Sequence, residues 1–208
     1  MNPNWAEENL QTIRTLMERS ALYRRALAPI MLLAGAMGIA TTGIGIFFKM
    51  YSVQEFEGLW LCTAVLAVVG AFRIARRQAL KDQEAFWSPP TRRVAQALLP
   101  PLLAGLCLGL FPVLNGELDD QADLIPVLVW ILLYGCALHS AGFFMPRGIK
   151  LFGWLFIAGA IALAYAAPRS EWLDNVNLIY WVMGFFFGVL HLAYGAYLYL
   201  TEKGKNAA

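Results

Sequence analysis

The stretch LFGWLFIAGAIALAYAA, residues 151–167, decides the fold. A helix wound from it is apolar on every side, and a helix without a polar face is stable only in lipid or at the centre of a large core. AGLCLGLFPVL, residues 104–114, has the same character. A transmembrane barrel strand alternates apolar and polar residues over about ten positions. Neither stretch alternates, so a barrel is excluded and spanning helices are expected.

Working outward, six segments approach the ~20 apolar residues that a spanning helix needs. They run over roughly 28–48, 58–73, 94–114, 124–145, 151–167 and 176–200. Composition agrees. The 208 residues are 59% hydrophobic and 14% charged, against about 25% charged in soluble domains. Mean hydropathy is +0.56. The chain is therefore expected to be an all-α polytopic membrane protein, with six transmembrane helices in three hairpins (28–73, 94–145 and 151–200). Residues 1–27 form a juxtamembrane amphipathic helix, 28–200 the transmembrane domain and 201–208 a tail. The charged first 27 residues do not read as a secretory leader. No internal or inverted repeat is visible.

Charge sets the topology. With the N-terminus in the cytoplasm, all lysines and arginines except Lys49 and Arg169 fall on the inside. That is the positive-inside pattern, and six spans return the C-terminus to the same side. Both ends are therefore expected in the cytoplasm. The basic residues hug the membrane edge, which suits anionic lipid and gives no reason to expect nucleic acid.

WAEENLQTIRTLMERSALYRRAL, residues 5–27, has Trp5, Leu10, Ile13, Leu16, Met17 and Ala21 on one face. It reads as a helix lying on the inner surface or docking a partner protein or second copy, with Glu18, Arg19 and Arg24 as contact candidates. RIARRQALKDQEAFWSPPTRR, residues 73–93, extends the second helix until Ser88-Pro89-Pro90 stops it. Pro126 fits the first turn of the fourth helix, and Asp174 fits an N-cap for the last. Pro100, Pro101 and Pro112 predict a kink in the third. Trp60, Trp154 and Trp172 suit interfacial anchors. The acidic loop NGELDDQAD, residues 115–123, lacks the spacing of a calcium loop. Cys62, Cys107 and Cys136 lie in separate spans and read as small apolar core residues, not as a disulfide or zinc framework.

The ionisable groups expected inside the spans are His139 and His191, the only histidines in the chain. Intramembrane ionisable residues are functional candidates. Both helices run inward, and the two histidines differ in depth by only about 5 Å at 1.5 Å per residue. Gly184, Gly188, His191 and Gly195 share one face at 100° per residue, as do Gly135, His139 and Gly142. Both histidines are therefore expected to point into the bundle.

Three readings stay open. The histidines are hydrogen-bonded packing residues; or they ligate a b-type haem as a bis-histidine cofactor pair; or His191 lines a pocket with Tyr180, Tyr194, Gly184, Gly188 and Gly195. Cys136 and His139 alone do not make a metal site. No acid or base is expected within a hydrophobic core, and no hydrolase motif is present, which argues against ion-coupled transport, proton pumping and hydrolysis.

IRTLMERSALYR (13–24) and FGVLHLAYGAYLYLTEK (187–203) resemble a group of bacterial six-span membrane proteins of uncharacterised activity. Those proteins carry a similar Met-Glu-Arg-Ser element and a Leu-His-x-x-Tyr-Gly close. The resemblance implies that His191, Tyr194 and Gly195 belong to the closing motif. It also implies a sensory or stress role, because such genes neighbour small winged-helix regulators. His139 matches nothing in the motif. The expected function is a non-enzymatic sensory, binding or accessory subunit. The alternatives are a bis-histidine haem electron-transfer protein and a carrier or binder of a small apolar or aromatic molecule.

Overall fold

A computed structural model of the chain describes residues 26–83, 85–115, 124–166 and 176–206. The amphipathic segment with Glu18, Arg19 and Arg24, the acidic loop and Asp174 lie outside these residues. The described residues form helices and no strand. Six helical segments among them are long and apolar enough to cross a membrane. They are α1 (Ala26–Phe47), α2 (Val53–Lys81), α3 (Pro89–Asn115), α4 (Leu124–Ala141), α5 (Arg147–Ala166) and a last segment, Asn177–Thr201. The last is continuous but not uniform: α6 (Val176–Met183) passes through a π-helical turn (Gly184–Val189) into α7 (Leu190–Asn206).

Local chemistry sets the helix ends. A capping box opens α2: Glu55 N–H donates to Ser52 Oγ at 3.3 Å, and Ser52 N–H donates to Glu55 Oε2 at 3.3 Å. This reciprocal pair satisfies two orphan donors of the first turn. It starts the helix at Val53, five residues ahead of the expected span 58–73. At the other end, Gln83 adopts a left-handed φ of 54°, and Asp82 N–H donates to Gln78 O at 3.0 Å. The helix therefore ends at Lys81 and does not reach Ser88. Proline opens α3, as its ring suits a first turn, and α3 continues through Pro100, Pro101 and Pro112.

Glycine sets the closest helix pairings. α4 lies along α5 so tightly that a methyl group at Gly153 would sit 2.5 Å from His139 N. α1 lies along the last span, where a methyl at Gly38 would sit 2.5 Å from Phe187 O. Small residues bring backbones together in lipid, where packing replaces the hydrophobic drive. Both contacts cross the boundaries between the sequence hairpins. Phe56, Ile131, Phe156, Tyr180 and Met183 fill the centre. α2 and α3 turn Val65, Leu66, Val68, Leu103 and Leu108 outward, as helices facing acyl chains do. Cys62 and Cys107 also face outward rather than into the core.

Candidate functional site: a buried histidine and tyrosine

His191 stands one residue beyond the start of α7 and is 1% exposed. Its Nδ1 lies 3.0 Å from Phe186 O, and its Nε2 lies 2.7 Å from Tyr134 Oη on α4. A carbonyl oxygen only accepts, so Nδ1 carries the proton and donates to it. Nε2 is then the acceptor, and the Tyr134 hydroxyl donates to it. Each polar group is used once, and the ring is the neutral Nδ1–H tautomer.

The π-helical turn positions this arrangement. Leu190 N–H reaches back five residues to Phe185 O, where an α-helix would reach back four. A π-turn slips one donor out of register, and such turns recur at functional positions. Here the Phe186 carbonyl receives an imidazole N–H from five residues ahead. Four rings enclose the imidazole: Phe187 stacked at 6.1 Å, Phe152 and Phe156 edge-on at 5.2 and 5.5 Å, and Tyr134 tilted at 5.4 Å. In that apolar box an unmade hydrogen bond is expensive, which is why both nitrogens are served.

His139 is elsewhere. It is half-buried, packed edge-on against Phe143 at 5.4 Å and Trp154 at 5.1 Å, and its buried Nδ1 has no hydrogen-bond partner among the described residues. Five residues separate it from Tyr134, which is about 140° around the helix. The two histidines are therefore not brought together, and Nε2 of His191 would have to surrender Tyr134 to take up a metal.

The pocket candidates are also dispersed. Tyr180 lies about 16 Å along the span from His191, with its hydroxyl donating to Met50 O at 2.6 Å and its ring edge-on to Phe56. Tyr194 stacks on Phe152 at 4.8 Å, on the other side of His191 along the span. Gly184, Gly188 and Gly195 face Thr42, Ile39 and Leu32 of α1. They are filled by a neighbouring helix and do not open beside the imidazole. Counting 100° per residue through 184–191 fails because the π-turn holds an extra residue.

Two features escaped the sequence reading. Tyr134 is one aromatic residue in an apolar run, and nothing local marks it as the partner of a residue 57 positions away. Glu57 precedes the expected second span, 58–73, and no acid is expected in a hydrophobic core; the structure corrects this. Glu57 is 1% exposed in the second turn of α2. Among the described residues its Oε2 has no hydrogen-bond partner, nor does Nε1 of Trp60 one turn along, a residue expected at the interface but 5% exposed. The capping box at Ser52 is the readable signal, since it places Glu57 inside the helix.

No protein-family model, curated protein or solved structure matches the chain.

Proposed function

We propose that this chain is a non-enzymatic subunit of a bacterial inner membrane, sensory, binding or accessory in role, with both ends in the cytoplasm. One observation carries the reading: the fully buried imidazole is committed on both nitrogens. A general base or an axial ligand needs a free lone pair on the ring. His191 instead joins α7 to α4 and completes a π-turn, the work of a structural fastener. Function then belongs to surfaces and partners. The amphipathic segment 5–27, with Glu18, Arg19 and Arg24, is the docking element in this proposal, lying against the cytoplasmic leaflet until a partner or second copy engages it.

The test is a pull-down in mild detergent from the native host, with the full chain and with residues 5–27 deleted. A partner retained by the first and lost by the second supports the reading. Recovery of the chain alone in both cases overturns it. An absorption spectrum of the same preparation checks the haem alternative: a Soret band from natively expressed protein would replace the accessory role with electron transfer.

A further inference from the structure

The end of α2 and the start of α3 form a cationic surface with a specific vertical order. α2 has 29 residues, about 44 Å at 1.5 Å per residue, against a hydrocarbon thickness of about 30 Å. Its last turns therefore stand clear of the acyl region. Arg73, Arg76, Arg77 and Lys81 occupy those turns and are all exposed. At 100° per residue they share one sector of the helix. Arg92 and Arg93, in the first turns of α3, are exposed as well.

The connecting turn packs back on α2. Phe86 folds back against Phe72, ring centroids 4.8 Å apart and edge-on, and Trp87 follows Phe86 at 6.3 Å. α3 then packs along α2, with Arg92 and Arg93 in its first turns. None of the six cations has an ion pair among the described residues. Five of the six are arginine, whose planar fork matches the oxygens of a phosphate in two-point contact.

Below the cations α2 turns apolar side chains outward. Leu66, Val69 and Phe72 are 54%, 44% and 50% exposed, and they lead directly up to Arg73 and Arg76. A soluble polyanion or an acidic protein would use the arginines and leave this strip unused. A molecule with a phosphate above and acyl chains below uses both.

We propose that this surface is a binding site for an anionic phospholipid of the adjoining leaflet. The headgroup phosphate lies among Arg73, Arg76, Arg77, Arg92 and Arg93, and an acyl chain runs along Leu66, Val69 and Phe72. The site is independent of the accessory role proposed above.

The test uses the full chain in nanodiscs of phosphatidylcholine with ~30 mol % phosphatidylglycerol, read by native mass spectrometry of the lipids retained after mild detergent release. Each basic residue near an anionic surface contributes about fivefold in affinity. Arg76→Gln with Arg77→Gln should therefore cut retention of phosphatidylglycerol over phosphatidylcholine by at least about tenfold. Arg76→Lys with Arg77→Lys keeps the charge and loses the fork, and should fall between. Lys49→Gln, on the opposite end of the bundle, should change nothing. The helical circular dichroism of each variant confirms that it folds. Retention unchanged in the double glutamine variant overturns the proposal. So does an equal loss with Lys49→Gln, or a preference for phosphatidylglycerol that is absent from the wild-type chain.

Discussion

The Tyr134–His191 hydrogen bond is open to a quantitative test. Tyr134→Phe removes the hydroxyl donor and keeps the ring that packs against Phe156 and Phe187 at 5.1 Å each. Nε2 of His191 is then left without a donor, in a site 1% exposed and walled by phenylalanines. A neutral hydrogen bond contributes about 1 kcal/mol net, and a buried group left unpaired costs about 1–3 kcal/mol. Interhelical hydrogen bonds in membranes average only about 0.6 kcal/mol and reach about 1.7, because the unfolded chain in lipid also finds partners. The distance of 2.7 Å and the absence of a competing described partner place this bond toward the upper figure. Tyr134→Phe should therefore cost about 1–2 kcal/mol.

His191→Leu should cost more, since it also releases Phe186 O and disturbs the ring box. The informative quantity is the coupling from the double-mutant cycle, expected near 1–1.7 kcal/mol. Reversible unfolding in mixed detergent micelles, followed by circular dichroism, measures it. Neighbouring sites that do not interact add to within about 0.5 kcal/mol. A coupling below that value would refute both the bond and the inference that His191 is a fastener. A ¹⁵N spectrum of histidine-labelled protein gives a second check: His191 should show the Nδ1–H tautomer, and the opposite tautomer would refute the assignment of donor and acceptor.

Glycine substitutions separate contact from propensity. Gly38→Ala drives a methyl into the Phe187 and Gly188 backbone at 2.5–2.8 Å and should destabilise the bundle by about 1–3 kcal/mol. Gly43→Ala meets nothing within 4 Å and should be neutral or stabilise by up to about 1 kcal/mol; equal effects in the same unfolding assay would contradict the α1 packing. Glu57→Met replaces a buried carboxyl, without a partner at Oε2 among the described residues, by an apolar group of similar volume. It should stabilise by about 1–3 kcal/mol, and a loss of stability would show that the carboxyl has a counterpart. For the topology, a C-terminal fluorescent-protein fusion should glow in cells and a C-terminal alkaline phosphatase fusion should be inactive; active phosphatase would place that end outside.

Much of the fold was legible from short stretches. Residues 151–167 and 104–114 announce lipid-buried helices because an all-round apolar surface has no stable place in water. Ser88-Pro89 marks the start of α3, and Pro126 lies in the first turn of α4, because each signal depends only on its immediate neighbours. The candidate site was legible only in part. His191 stood out as an ionisable group in a span, and it is buried. His139 stood out equally, yet it lies on a different side of α4, against Trp154.

The sequence by itself determined that the described residues hold six helices long and apolar enough to cross a membrane, roughly where they fall, and which residues are chemically unusual within them. These follow from hydropathy, charge and caps, which act over one or two helical turns. Only the tertiary structure decided that Tyr134 serves His191, that α1 fills the glycines of the last span, and that Glu57 is enclosed. Those outcomes depend on how each helix is rotated toward its neighbours. One extra residue in the π-turn changes that rotation, and the balance that admits it is struck among contacts far apart in the chain.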